Sequence, residues 1–367
     1  MPPPTSSPVA VSVLVPVLNE EATIEATVAA MLAQELDGRL ELIFADGAST
    51  DATRARLEAL ARADDRVRVF DNPDRGTASG LNVCLREARG EYVARMDAHT
   101  FFAADYLARG IARLQQGDAT WVAGPQRPRG RGPVSRSAVA ALESALGRGA
   151  SRKWASDGDA SPEFDLDTGV FCGVWRRADV LRHGGWDEGW PRNQDSELAA
   201  RFLRSGERIV CVPAMAADYL PRDAFRGLFR QYREYGQYRA RTALRHPDSL
   251  RRSALLPPAL VLTAAAAVVA PRPLRTLARA GIGIYAAALG ASAAQTAVGG
   301  RPLEGALLPA VLPTMHLAHG LGFFEGARRW GFPARAVLRA VGVRRPEDEA
   351  PYRGPVYAPN LHGDRPR

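Results

Sequence analysis

Four short apolar runs recur through the first hundred residues: Val11–Val15, Leu40–Ala45, Val67–Phe70 and Glu91–Met96. A helical pattern follows each of them. Strands that are apolar along most of their length must be buried on both faces, which predicts a parallel sheet covered by helices on either side. The helix over Glu20–Leu32 places Ile24, Val28 and Met31 on one face. A second helix carries Leu57 and Leu60, with Thr50 or Ser49 as its cap, and a third carries Leu81, Leu85 and Ala88. A fourth covers Tyr106–Leu114, and Thr120–Ala123 reads as a fifth strand. In open sheets of this kind ligands bind beyond the carboxyl ends of the strands, where Pro16, Asp46 and Asp97 fall.

The chain has 367 residues and a formal charge of +8, enough length for an α/β core and a second region. The charge is not read as a nucleic-acid signal. Lys153 is the only lysine, and the arginine comes with abundant Ala, Gly and Pro, as a GC-rich genome would produce. Arginine nonetheless grips phosphate through its planar fork of donors. Cys84, Cys172 and Cys211 form no C-x-x-C pair and no zinc spacing, which fits a reduced setting. Met1–Pro8 is proline-rich, reads as disordered, and lacks the regions of a signal peptide.

The turn after the first strand reads Pro16-Val17-Leu18-Asn19-Glu20, without the G-x-G-x-x-G of a dinucleotide-binding sheet. With no glycine cradle, a diphosphate here needs another source of positive charge. Asp97 and His99, two residues apart at the end of the fourth strand, can hold one divalent cation. Asp46, in the turn A-D-G-A-S-T-D, can accept a hydrogen bond from the imide N–H of a uracil-like base. Asp51 in the same run is a cap for the next helix. Arg75 follows the third strand and can bring a guanidinium to base or phosphate. Further on, Asn193-Gln194-Asp195-Ser196-Glu197-Leu198 opens a helix through Leu203. A carboxylate there is either a cap or, folded over the nucleotide site, a base that takes a proton from a hydroxyl.

Beyond Arg252 the composition changes. Ser253–Ala270, Ala280–Gly300 and Gly305–Phe324 contain no Asp, Glu, Lys or Arg. The last two approach the ~20 residues needed to cross a bilayer. The first is shorter and interrupted by Pro257-Pro258, so a re-entrant segment is an alternative there. Two or three membrane helices are expected, with a buried helical hairpin as the alternative. Arginines on both sides favour an even number slightly. The preceding Phe225–His246 is helical and dense in Arg and Tyr, either an interfacial helix or an amphipathic surface helix. His316 and His319 share one face within the last apolar stretch, as an interhelical hydrogen bond or as a contact for a lipid-linked molecule. Arg127-Pro128-Arg129-Gly130-Arg131 reads either as a solvated loop or as one that meets a lipid diphosphate.

The ordered set of motifs resembles the family 2 glycosyltransferases. It begins with V-S-V-L-V-P-V-L-N-E-E (Val11–Glu21), A-D-G-A-S-T-D-A-T (Ala45–Thr53) and R-M-D-A-H-T (Arg95–Thr100). It continues through T-G-V-F-C-G-V-W-R-R, G-G-W-D-E, R-N-Q-D-S-E-L-A-A-R, Y-L-P-R and R-Q-Y-R-E-Y-G-Q-Y-R, and more loosely through H-L-A-H-G-L-G-F-F. Within that family the D-A-H form resembles the succinoglycan-type glucosyltransferase branch of exopolysaccharide synthesis. The resemblance implies a GT-A fold, a Rossmann-like mixed and mostly parallel sheet, over residues 9–222. An amphipathic segment (223–253), membrane helices (254–325) and a cytosolic or flexible tail (326–367) would follow. It further implies that Asp97 and His99 bind Mg²⁺ or Mn²⁺, that Pro16, Leu18, Glu20, Asp46, Arg75 and Asp97 surround the nucleotide, and that Asp195 is the base of an inverting displacement. Gln194, Glu197, Gln231 and Arg233 are assigned to the acceptor side or to support of the base. Gln194 stands where the family often has an acidic residue. The Q-x-x-R-W motif of processive synthases is absent, which favours addition of a single sugar.

The expected protein is thus an inverting, metal-dependent glycosyltransferase at the cytoplasmic face of the inner membrane. It would move a sugar, glucose first, from a UDP-sugar to a lipid-diphosphate-linked saccharide. Alternatives are a nucleotidyltransferase on a similar sheet and a membrane-anchored GT-A scaffold without turnover.

Overall fold

The computed structural model describes residues 8–149, 151–154 and 161–343. The N-terminus expected to be disordered, apart from Pro8, and the tail beyond 343 lie outside them. Ten strands run in chain order: β1 (Val9–Val17), β2 (Arg39–Asp46), β3 (Val67–Asp71), β4 (Tyr92–Arg95), β5 (Trp121–Ala123), β6 (Gln126–Pro128), β7 (Phe164–Asp165), β8 (Gly173–Arg176), β9 (Ile209–Cys211) and β10 (Ala217–Tyr219). The α-helices that connect them are α1 (Ile24–Leu32), α2 (Thr53–Ala63), α3 (Thr77–Glu87), α4 (Tyr106–Gln115), α5 (Pro133–Glu143), α6 (Ala145–Arg148), α7 (Arg177–Arg182) and α8 (Gln194–Arg204). A helical region follows, with α9 (Phe225–Arg245), α10 (Leu256–Val269), α11 (Arg272–Val298), α12 (Pro302–Trp330) and α13 (Ala334–Ala340).

Eight strands form one sheet in the order β3-β2-β1-β4-β8-β5-β9-β7, while β6 and β10 make a separate ribbon. The β3-β2-β1-β4 half is wholly parallel. Alternate residues serve opposite faces. Val11, Val13, Val15, Leu42, Phe44 and Ala94 pack with Ile24, Val28, Met31, Leu57 and Leu107 of α1, α2 and α4. Leu14, Ile43, Ala45 and Val93 pack on the other side with Leu81, Leu85, Trp121, Trp175 and Phe202. Two covered faces explain why these strands are apolar nearly throughout.

The other half is mixed. β8 lies antiparallel between β4 and β5, and β7 runs antiparallel to β9. Successive strands β4 and β5 are therefore not neighbours. Gly173 permits the insertion, because a Cβ there would stand 2.2 Å from the Trp121 indole nitrogen. Asp51, rather than Ser49 or Thr50, takes the Thr53 amide at the start of α2 (3.0 Å).

The chain divides into two compact units. Among the described residues, the first comprises 8–126 and 161–218 and the second 127–149, 151–154 and 219–343. The division falls inside the span expected to be one catalytic domain, because Ala138, Ala141 and Leu142 of α5 share a core with Leu308, Val311, Leu312 and Met315 of α12.

In the second unit, three helices are long and apolar enough to cross a membrane: Arg252–Val269, Arg272–Val298 and Pro302–Trp330. Pro257-Pro258 does not break the first of them. It occupies the first turn of α10, where proline's missing N–H has no partner to lose. The faces of α10 and α11 leave Leu262, Val268, Leu277, Ile284 and Val298 exposed by 60–89%. By contrast α12 is packed among α5, α9, α10 and α11. Its closest approach is to α9, where a Cβ on Gly236 would lie 2.0 Å from the His319 carbonyl. His316 Nδ1 meets the Tyr285 hydroxyl of α11 at 2.8 Å, the interhelical bond that was one of its two readings. α12 continues past residue 325 to Trp330, and α13 packs Ala336 and Ala340 against Ala240, Ala243 and Phe323. The beginning of the expected tail is thus ordered helix.

Candidate active site

The site lies at the carboxyl edge of the sheet in the first unit, and its loops are laced together by side chains. Asn19, after β1, accepts the Thr50 amide (2.8 Å) and donates its own amide to the Ser49 hydroxyl (3.0 Å). The Glu20 amide donates to Thr53 Oγ1 (2.7 Å), and Glu21 accepts the Ala52 amide (2.9 Å). The Asp51 carboxyl loses a little solvation, but the Thr53 hydroxyl and amide outweigh that and hold it below its usual range. The four non-glycine residues with positive φ among the described residues are Asn19, Ala48, Arg75 and Asn193. Three follow β1, β2 and β3, and the fourth caps α8. Such backbone is strained and is retained where surrounding structure fixes it.

Asp46, the last residue of β2, is 5% exposed. Ser49 donates its hydroxyl (2.6 Å) and its amide to that carboxylate, which closes the turn. Arg75 and Leu18 are exposed, and Pro16 is half-buried beside the same turn.

Beyond β4 the first strong electrostatic feature appears. Arg95, the last residue of the strand, is 4% exposed. Its Nε and Nη2 hold both oxygens of Asp97, at 2.8 and 3.0 Å, and its Nη1 holds Asp195 Oδ1 at 2.6 Å. Burial works against the charge of this guanidinium, but Asp195 and Asp97 outweigh it and raise its pKa. Two carboxylates far apart in sequence, Asp97 and Asp195, thus share one cation. His99 Nδ1 lies 3.1 Å from Glu20 Oε1 and brings the β4 loop to the β1 loop.

Asp195 reaches Arg95 from the first turn of α8, where the helix dipole favours an anion. The approach is close: a Cβ on Gly169 would stand 2.2 Å from the Asp195 carbonyl, and Thr168 Oγ1 donates to Ser196 Oγ at 3.2 Å. Glu197, two residues further along the helix, is fully buried and paired with Arg201 at 2.8 Å. Arg201 also donates to the carbonyls of His183 and Gly185, so Glu197 anchors α8 to the G-G-W turn. Gln194 is buried. Gln231 and Arg233 belong to the second unit. There Gln231 donates to the Tyr219 and Tyr235 hydroxyls, and Arg233 pairs with Glu325 at 2.7 Å. Cys84, Cys172 and Cys211 are all buried thiols. Cys172 stands near the Arg95 cluster, and burial pushes its thiol up to about 12, which keeps it neutral.

The model for glycosyl transferase family 2 matches residues 12–185, the span that supplies Asp46, Arg95, Asp97 and His99. Over 322 residues the chain is 30% identical to the succinoglycan biosynthesis protein ExoA of Rhizobium meliloti, covering 85% of this chain and 93% of that protein. The chain belongs to glycosyl transferase family 2. A shorter match, 29% identical over 31% of this chain and 44% of the relative, is to the Escherichia coli UDP-Glc:alpha-D-GlcNAc-diphosphoundecaprenol beta-1,3-glucosyltransferase WfgD. Among solved structures, the mannosyltransferase PcManGT from Pyrobaculum calidifontis, in complex with GDP-Man and Mn²⁺, aligns with a TM-score of 0.47 at 22% identity, over 94% of this chain and 90% of that one.

This glycosyltransferase has the GT-A fold, a mixed and mostly parallel sheet. No group of three or more His, Cys, Asp and Glu is gathered to hold a metal ion by itself among the described residues. The donor set of Asp97 and His99 still fits Mg²⁺ or Mn²⁺. It offers carboxylate oxygen and imidazole nitrogen, with Glu20 placed to orient the ring. The residue that sequence reasoning missed in this glycosyltransferase is Arg95. Its signal was available, since a charged residue inside an apolar strand is buried only when paired.

Proposed function

We propose that this glycosyltransferase moves a sugar, glucose first, from a UDP-sugar to a saccharide carried on a lipid diphosphate. The reaction inverts the anomeric centre, and the enzyme is anchored at the cytoplasmic face of the inner membrane in exopolysaccharide synthesis. One observation carries the reading: Asp97, the donor-side carboxylate, and Asp195, the acceptor-side carboxylate, meet on a single buried guanidinium. A displacement at a sugar carbon needs these two ends together.

Asp195, paired with Arg95, accepts the proton of the acceptor hydroxyl. The hydroxyl oxygen then bonds to the anomeric carbon from the face opposite the diphosphate, and the carbon–oxygen bond to the diphosphate breaks. UDP departs with the bonding electrons. A general base placed in this way contributes roughly 10²–10⁴-fold. Asp97 and His99 would hold the Mg²⁺ or Mn²⁺, which supplies charge stabilisation to the leaving diphosphate. Asp46 would read the base, with Arg75, Leu18, Pro16 and Glu20 around the nucleotide. Gln194, Gln231 and Arg233 are kept for the acceptor side or support of the base, whereas Glu197 is better explained by its ion pair with Arg201.

The exposed apolar faces of α10 and α11 support the membrane anchor, and the diphosphoundecaprenol-linked substrate in the name of WfgD supports a lipid-linked acceptor. A panel of nucleotide sugars, with Mn²⁺ and a lipid-diphosphate saccharide, tests the reading by product mass and UDP release. Release that disappears in Asp195→Asn and survives in Gln194→Ala is expected. Tight UDP binding with no release from any donor would instead favour the scaffold.

A further inference from the structure

We propose that Arg95 is a positioning residue that couples donor occupancy at Asp97 to the placement of Asp195. The inference rests on the reading that Asp97 faces the donor and Asp195 the acceptor. Its basis is geometric. The guanidinium is planar and rigid, and it spends one edge, Nε and Nη2, on both oxygens of Asp97 and its remaining corner, Nη1, on Asp195. Because the three nitrogens cannot move independently, rotating the group to follow one carboxylate displaces the other. Arg95 is itself fixed, as the last residue of β4 in register with Gly173 of β8. Asp195 stands in the first turn of α8 behind the left-handed Asn193.

Charge points the same way. One guanidinium is divided between two carboxylates. A cation drawn to Asp97 competes with the guanidinium for the same oxygens. To the extent that Asp97 turns to the cation, the charge of Arg95 is left to Asp195, which is held harder and in one orientation. Donor binding thereby sets the base before the acceptor is attacked.

The coupling is measured by a double-mutant cycle on the full-length protein in detergent, with UDP titrated calorimetrically in the presence of Mn²⁺. The four chains are wild type, Asp195→Asn, Arg95→Lys and the double variant, each first shown to be folded by its thermal melt. Asp195→Asn frees Arg95 to bind Asp97 alone, and should weaken UDP binding roughly 5- to 20-fold, within the range for groups in one ion-pair network. A lysine is a point charge without the fork, so in the Arg95→Lys background the same substitution should change affinity less than about 2-fold. Arg95→Lys should also lower kcat for transfer far more than it raises the donor KM. Equal effects of Asp195→Asn in both backgrounds, with wild-type binding intact, would overturn the coupling alone. Absence of UDP binding by the wild type would overturn the donor reading and the coupling with it.

Discussion

Two buried carboxylate–arginine clusters sit at opposite edges of the same parallel strands. At the amino edge, Glu41 is 3% exposed and pairs with Arg68 at 3.0 Å. Its other oxygen accepts the Ser12 hydroxyl at 2.7 Å and the Arg89 amide at 2.8 Å. Ser12 in turn accepts the Gly90 amide. The backbone of the turn before β4 is thereby built into the cluster, and Arg68 spends its remaining donors on Glu87. At the carboxyl edge, one arginine serves two carboxylates from two distant segments, and both remain partly open, at 16% and 18% exposure. A cluster that uses its acceptors on backbone donors closes a fold. The carboxyl-edge carboxylates share their arginine across distant segments and keep part of their surface open to solvent.

The largest expected difference follows from removing the two arginines. Arg95→Met strands two inward-facing carboxylates and should cost about 3–5 kcal/mol, the range for breaking a buried pair. Arg68→Met leaves Glu41 with the Ser12 and Arg89 donors, and should cost about 1–3 kcal/mol. Thermal or urea melts of the two variants would measure this. Transfer per folded molecule should vanish in the first and persist in the second. Equal destabilisation would break the comparison.

Neutralising one carboxylate in each cluster has a smaller effect. Glu41→Gln should destabilise by about 1–3 kcal/mol without changing transfer by the folded fraction. Asp195→Asn keeps an oxygen that can accept from Arg95, so it should leave stability within about 1 kcal/mol of wild type or raise it, while transfer falls. Functional groups retained at a cost to stability have this signature. A strongly destabilised Asp195→Asn would mean that Asp195 is a structural cap after all.

These two edges also show what a sequence discloses. The strand periodicity was legible because both faces of β1, β2 and β4 are buried, and period-two burial leaves nearly every position apolar. Asp97, His99 and Asp195 stood out in the sequence because they fall at strand and helix ends, the side of such sheets where ligands bind. Arg95 was hidden inside a strand, since its role depends on a partner a hundred residues away. Glu197 shows the reverse case. It stands near Asp195 in sequence, but two residues along a helix point to different sides, and it turned to Arg201. The insertion of β8 between β4 and β5 was invisible because neighbouring strands in a sheet need not be consecutive. α5 joins the α12 core through three small or aliphatic residues, a contact that composition cannot announce.

The smallest effect concerns backbone strain, which is confined to the carboxyl edge among the non-glycine residues described. Asn19 and Asn193 are residue types that tolerate left-handed backbone, but Ala48, with φ of 55°, gains nothing from its side chain there. Its methyl group only adds steric cost of about 1–2 kcal/mol, whereas a glycine costs roughly 0.5–1 kcal/mol more chain entropy on folding. Ala48→Gly should therefore stabilise the protein by about 0.5–1 kcal/mol, raising the melting temperature slightly. Donor KM should rise at the same time, because the turn that carries Asp46 becomes less strictly held between Val17 and Arg75. Higher stability with unchanged KM would show that the strain serves folding history rather than the nucleotide. Lower stability would show that the neighbouring loops, rather than the methyl group, determine the energy of this turn.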